Sequence, residues 1–456
     1  MENNNSGLER REFLKRAAIV SIGFAALSRC TIGTEKTNSE LVDLALKTDP
    51  KGYLDLPEGF TYKVISKAGN PMAHGLKVPG RPDGMGAFTG ANDRVILIRN
   101  HENDPDDLSG SPFGAENELL PQVDKDLIYD AGLGESPGLG GTTTLVFNEA
   151  TGEVEQEYLS LAGTYRNCAG GITPWQSWLT CEESVNKAGG KVEKDHGYVF
   201  EVPSSDSPLL AKPAPIKAMG RFNHEAVAVD PNSGIVYQTE DRHDGLIYRY
   251  VPNEPGKLLN GGKLQALVIK DQPGLDTRNW EATTMTLGQK VVTEWVDLDD
   301  VEAPEDDLRY RGHTLGAAVF ARGEGMWYGE GEIYFACTNG GPNKYGQVFR
   351  YILPKNDEDN GILELFAQSA DKAVLNMCDN LTVAPWGDVV LCEDNGERNH
   401  IRIINKRGEI SDFGRNMSSR SEFAGLCFSP SGKTLFVNIQ ENGDTLAISG
   451  PWERLA

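Results

Sequence analysis

Acidic side chains recur in this chain at spacings that could gather metal ions. In NCAGGITPWQSWLTCEES, which starts at Asn167, the thiol of Cys168 stands six positions before Pro174, and an apolar run then ends on Glu182 and Glu183. In NHEAVAVDPNSGIVYQTED the same places hold Glu225, Pro231, Glu240 and Asp241, after one extra turn residue. In CDNLTVAPWGDVVLCED they hold Asp379, Pro385, Glu393 and Asp394. Weaker copies open on Asp83 and close on His101 and Glu102, or open on Glu324 and close on Thr338 and Asn339. A last copy has Ala424 in the opening slot, Glu422 two residues earlier, and closes on Glu441. Carboxylates are hard oxygen donors suited to calcium, whereas a thiolate or imidazole favours a transition metal. Cys168, in the slot that carboxylates fill elsewhere, therefore reads as a ligand among acids, with both classes of metal at one place. The bland alternative is that the acids cap turns and bind strand-end amides. Convergence weakens that alternative, because buried like charges repel unless cations compensate them.

The elements that must position these residues follow from the same copies. Each is an apolar run, a turn and a second apolar run, which predicts a β-hairpin with chemistry at both open ends. A further strand pattern follows each hairpin: GTTTLVFN, HGYVFEVP, DGLIYRYVP, GQVFRYILP, HIRIINKRGE and DTLAISGPW. Six units of inner hairpin plus outer strands predict an all-β fold, a six-bladed β-propeller with long loop insertions. The first strand of each blade lines a central channel, so the residue before strand one and those after strand two reach the same mouth. FTYKVISKAG, from Phe60, is expected to complete the last blade beside the C-terminal sequence.

Three stretches lie outside the repeat. The loop from Asn103 to Gly140 is acidic and rich in Gly and Pro, as surface loops are. The segment from Leu258 to Arg322, with EWVDLDD and APEDD, reads as an exposed acidic excursion. At the N-terminus, Arg10 and Arg11 precede an apolar run from Ala17 to Leu27, which matches a twin-arginine export signal over residues 1–30. That run is short of the roughly 20 residues a membrane span needs. Residues 31–50 read as a polar tether and 51–456 as one propeller domain. Export by the twin-arginine machinery implies a periplasmic or extracellular location, with membrane association only if Cys30 is lipidated.

The net charge of −23 argues against nucleic acid as a partner. A carboxylate ring could take a phosphate only after metal ions reversed the local sign. Among the seven cysteines, Cys181, Cys337 and Cys392 fall in matching second strands and read as packing residues, as does Cys427. Trp175, Trp178 and Trp386 also read as packing. His101 and His224 are equally suited to direct ligation and to an orienting hydrogen bond. There is no P-loop, dinucleotide fingerprint or serine–histidine nucleophile pattern.

Taken together, RNHE, CAGGITPWQSWLTCEE, RFNHEAVAVDP, YQTEDR, ARGEG and CDNLTVAPWGDVVLCED resemble the PhoX-type alkaline phosphatases and their relatives of once-unknown function. The resemblance covers most of the chain after the leader. It implies hydrolysis of phosphomonoesters at an iron and calcium cluster on a six-bladed propeller. By that resemblance Cys168, Glu225 and Glu324 would hold iron (Fe3+). Glu102, Glu183, Glu240, Asp379, Glu393 and Asp394 would hold or bridge calcium (Ca2+), and Arg322 would contact phosphate. The Thr338 and Asn339 pair and Ala424 depart from the pattern. Another metal-dependent hydrolase, such as a phosphodiesterase or lactonase, or a noncatalytic calcium-stabilised binding propeller, are the alternatives.

Overall fold

The computed structural model describes residues 44–356 and 360–456; the leader and Cys30 lie outside the described residues. Strands dominate, and they pair almost wholly antiparallel, in a propeller-like all-β arrangement. Six inner hairpins form where the repeats predict them. Their strands are Pro82–Thr89 with Arg94–His101, Asn167–Ile172 with Ser177–Glu182, and His224–Val229 with Val236–Glu240. The others are Gly323–Tyr328 with Glu332–Cys337, Cys378–Val383 with Val389–Glu393, and Phe423–Phe428 with Thr434–Ile439. Each first strand packs against the first strand of the next hairpin, and the last packs on the first, closing a cycle.

The predicted third strands are all present, for example Gly140–Asn148, Ile247–Pro252 and Gln347–Ile352. Among the described residues the sheets are five rather than six separate ones. The reason lies in the segment after Leu258, expected to be an exposed excursion. It supplies two strands, Gly262–Ile269 and Lys290–Leu298, and the second pairs with the outer strand Ile362–Gln368, fusing two units into a nine-stranded sheet. Alternation explains why an acidic stretch can do this: Glu294 and Asp297 are exposed while their neighbours Thr293 and Leu298 are buried. A short helix, Leu308–Thr314, follows.

Both chain ends join the outer edges. Thr61–Lys67 pairs with Asp444–Ser449, as expected of the segment after Phe60. Leu46–Lys47, expected within the tether, instead pairs with Leu54–Pro57, which in turn pairs with Ile410–Asn416. The loop over 103–140 is pinned as well as superficial: Phe113 and Leu139 are buried, and Asp130 accepts from the amides of Gly132, Glu193 and Lys194.

Candidate metal and anion site

One backbone device recurs at the open end of every hairpin. The N–H of the closing residue donates to the carbonyl two positions before the opening slot. The pairs are Glu102 to Arg81 (2.9 Å), Glu183 to Arg166 (3.0 Å), Asp241 to Asn223 (3.2 Å), Thr338 to Arg322 (3.0 Å), Asp394 to Met377 (2.8 Å) and Gln440 to Glu422 (3.3 Å). The register of each first strand then shifts just beyond the slot. Such bulges re-aim a side chain. Here they present Asp83, Cys168, Glu225, Glu324, Asp379 and Ala424 from matching places. This register corrects two closing assignments: Thr338 alone closes the fourth hairpin, and Gln440, not Glu441, closes the sixth.

The residue after the slot is Gly or Ala in five of the six hairpins, Asn380 being the other, and at the glycines the reason is steric. A Cβ on Gly84 would meet Ala169 Cα at 2.6 Å, and one on Gly325 would meet the Leu381 nitrogen at 2.6 Å. Gly425, at φ 67°, would place a Cβ 2.2 Å from the Asp83 carbonyl oxygen. Innermost strands thus approach backbone to backbone, which draws the slots together. Beneath them Met85, Trp178, Met326, Trp327, Leu381 and Leu426 leave a cavity of only about 10 Å³. That is room for about one water, so the acids are served from the mouth alone.

Glu225, Glu324 and Asp379 converge, each offering a carboxylate oxygen within 4.8 Å of the others, and all three are buried. Asp83 is also buried; its Oδ2 accepts from Gln440 at 2.7 Å while its Oδ1 has no hydrogen-bond partner among the described residues. Burial first, and neighbouring carboxylates second, push Asp83, Glu225, Glu324 and Glu422 well above the usual carboxylate range. The same causes push Glu183 up to about 8 and Asp379 up to about 7. A buried set of oxygen donors with an orphaned acceptor fits a hard cation, which removes the repulsion that protons otherwise relieve.

Three arginines border the acids. Arg322 forks onto Asp241, Nε to Oδ1 at 2.7 Å and Nη2 to Oδ2 at 2.8 Å, and Nη2 also donates to Glu324 at 2.7 Å. Arg81 Nη2 reaches Glu102 at 2.7 Å; Arg166 reaches Glu102 at 2.5 Å and also pairs with Glu183. All three occupy the position two before the slot and share a left-handed backbone, with φ of 41°, 45° and 50°. Of these, only Arg322 was expected from sequence. Asp83, Asp241 and Glu422 stand among the repeat's acids without having been named as ligands, and Arg81 and Arg166 were missed, although the fixed offset to Asp83, Cys168 and Glu324 is legible in R-P-D, R-N-C and R-G-E.

Not every expected ligand arrives. Successive strand residues face opposite ways, so the second acid of each closing pair turns to the mouth and the first turns into its own sheet. Glu240 accepts from the Leu246 amide and the Tyr248 hydroxyl and lies 3.8 Å from Arg309. Glu393 accepts from the amides of Asn376 and His400 and from Arg402. Neither joins the cluster, which corrects their expected ligand role. Glu182 matches them, bound by Tyr165, Gly197 and His196.

Cys168 is brought beside Glu225, but its thiol faces the carbonyls of His224 (3.3 Å) and Glu225 (3.6 Å). Burial pushes that thiol well up. His101 is held between the Gly80 carbonyl and Thr143, and His224 bonds the Gly220 carbonyl and stacks on Phe222. The histidines orient strands rather than join the acids. Trp178 is buried and Trp175 and Trp386 pack on the core, as read from sequence.

A sequence model of the family described as "Alkaline phosphatase PhoX" matches residues 43–146 and 146–443. No curated protein matches the chain. Among solved structures, the gluconolactonase XC5397 from Xanthomonas campestris aligns at 13% identity and TM-score 0.39, covering 86% of this chain and 95% of its own. The Cps50 (Swd1) β-propeller domain of Myceliophteria thermophila aligns at 10% identity and TM-score 0.44, covering 87% and 100%. A streptogramin B lyase aligns at 10% identity and TM-score 0.38, covering 86% and 98%.

Proposed function

The chain belongs to the alkaline phosphatase PhoX family, and we propose that it is an exported, metal-dependent phosphatase that hydrolyses small phosphomonoesters at the acidic mouth. The fold is read as a six-bladed propeller in which two blades share a sheet edge. The observation that carries the reading is the convergence of Glu225, Glu324 and Asp379 beside the forked Arg322.

Glu225, Glu324 and Asp379 would hold one cation, with Asp83, Glu102, Glu183, Asp241, Asp394 and Glu422 as donors for others; iron and calcium are the proposed metals, with Cys168 as the proposed soft ligand. Bound cations supply Lewis-acid stabilisation of phosphoryl oxygens and acidify a coordinated water. The chain's own contribution is placement. Asp241 and Glu324 lock Nε and Nη2 of Arg322, so the guanidinium plane is fixed before substrate arrives, its ordering cost is already met, and Nη1 would face the substrate. The plugged channel beneath the slots excludes water from one side of the site. Arg81 and Arg166 hold Glu102 and Glu183 in place, setting the spacing of donors across the first two hairpins.

Export by the twin-arginine route, to the periplasm or beyond, accords with a site that is loaded in the folded state. Among the described residues no helix is long and apolar enough to cross a membrane. The test is elemental analysis of protein purified without chelator, alongside hydrolysis of a chromogenic phosphomonoester, a phosphodiester and a lactone. Iron with calcium and chelator-sensitive phosphomonoester turnover support the proposal. Calcium alone without turnover points to a binding module, and faster diester or lactone cleavage to another hydrolase.

A further inference from the structure

A second concavity lies on the mouth face, beyond the acids. It has a volume of about 590 Å³ and is lined by Arg398, His400, Arg415, Ser418, Ser419 and Arg420, with one acid, Glu397. Three arginines in one cavity are unexpected in a chain of net charge −23, and their partners show how the charge is disposed. Arg415 is backed by Asp55 at 2.6 Å and His400 by Asp412 at 2.9 Å. Arg398 is exposed and spends Nη1 on the carbonyls of Asn416 (3.1 Å) and Met417 (3.2 Å), with no ion pair among the described residues. Arg420 is exposed too, and its guanidinium makes no ion pair among the described residues. Glu397 also lines the cavity; it is ion-paired with Lys372 at 2.6 Å, and the Arg420 charge acts on it at longer range.

The walls are braced. Asn416 bonds Ser418, Ser419 and the Ser421 carbonyl, and Asn399 bonds the Arg420 carbonyl. The cavity also joins the acidic mouth through the chain: Arg398 follows Asp394 by four residues, and Arg420 precedes Glu422 by two. A chain spans at most about 3.6 Å per residue, so the Arg420 Cα lies within roughly 7 Å of the Glu422 Cα. One arginine side chain covers that interval.

We propose that this cavity is a subsite for a second anionic group of the substrate, a phosphate or carboxylate carried on the organic part of the ester and received by Arg398 and Arg420. The inference rests on the phosphatase reading for its kinetic consequence. Metal ions held by the acids would receive the scissile phosphoryl group, while two guanidinium groups that make no ion pair among the described residues, with planar donor forks, match a second oxyanion. Substrates bearing two separated anions are therefore favoured over those bearing one.

The test compares p-nitrophenyl phosphate with α,ω-alkanediyl bisphosphates of increasing chain length, using the metal-loaded full chain and its Arg420→Ala and Arg398→Lys variants. Arg420→Ala breaks no side-chain bond of the described fold. The expected result is a wild-type optimum at one chain length. In Arg420→Ala the ratio of KM for p-nitrophenyl phosphate to KM for that bisphosphate should fall roughly tenfold, as the loss of a hydrogen bond to a charged group does. Arg398→Lys, which keeps charge but loses the fork, should lower the ratio less. An unchanged ratio with intact turnover overturns the subsite and leaves the phosphatase reading standing. If no phosphomonoester is hydrolysed, calorimetric titration with the bisphosphate decides: roughly tenfold weaker binding to Arg420→Ala upholds the anion site, while equal or absent binding overturns it.

Discussion

Removing the metals should make this protein's stability fall steeply with pH, and the size of the fall follows from the acidic cluster. Two unit charges 4.8 Å apart repel by about 3.5 kcal/mol at an effective dielectric of about 20, so three ionised carboxylates carry about 10 kcal/mol. The metal-free protein avoids that by keeping protons. Burial, then Asp394, holds Asp379 up to about 7, and burial, then Glu102, holds Glu183 up to about 8. A carboxyl raised in the folded state costs nothing below its unfolded pKa near 4; the cost grows as pH rises and is complete above the folded value. For Asp379 and Glu183 it is about 4 and about 5 kcal/mol. With unfolding entropy of about 2 cal/mol/K per residue over about 410 residues, 4 kcal/mol shifts Tm by about 5 °C. The assay is thermal unfolding with and without chelator from pH 5 to 9. The chelator-induced drop should be small at pH 5 and reach at least about 5 °C at pH 8.5. Glu225→Gln, by removing one charge, should raise the Tm of the chelated protein at pH 8.5 while abolishing metal binding. A chelated protein most stable at pH 8.5, or a Glu225→Gln variant less stable there than wild type, would refute the reasoning.

Other consequences divide the site from its supports. Arg322→Lys keeps charge but loses the fork held by Asp241 and Glu324; kcat/KM should fall on the order of 100-fold with little change in unfolding midpoint. Glu183→Gln should lower metal content measured by mass spectrometry. Glu240→Leu, one strand position off the mouth in its hairpin, strips the Leu246 amide and the Tyr248 hydroxyl of their acceptor and should leave metal content alone and lower Tm instead. His196 lies between Glu182 (2.6 Å) and Asp130 (3.3 Å); burial opposes its charge, but these carboxylates prevail and hold it up to about 9. Its contribution, about 3 kcal/mol, is fully present below about pH 6.5 and lost as pH rises through about 9. Urea denaturation of His196→Gln should show no such loss over that window. Gly425→Ala should prevent accumulation of folded protein, since its Cβ would overlap the Asp83 carbonyl, whereas Gly52→Ala, with open space around it, should cost about 1 kcal/mol.

Much of this protein is written locally, and the rest needs the closed ring. The six hairpins, the strands that follow them and the strand at Thr61–Lys67 are carried by period-two apolar patterns and turn residues, which act over a few residues and so are readable in the chain. The slots that bring Glu225, Glu324 and Asp379 together were legible because the repeat places them at one offset. Even the arginines at Arg81 and Arg166 left a trace two positions before a slot. What the spacing could not convey is which way each acid faces: adjacent acids such as Glu240 and Asp241 look alike in a list, yet a strand sends one into its sheet and the other to the mouth. Nor could it show that an acidic segment after Leu258 would add a strand that fuses two units, or that Arg398 and Arg420 meet across one cavity. Those outcomes depend on bulges, strand register and ring closure, which are settled only when distant segments pack against one another.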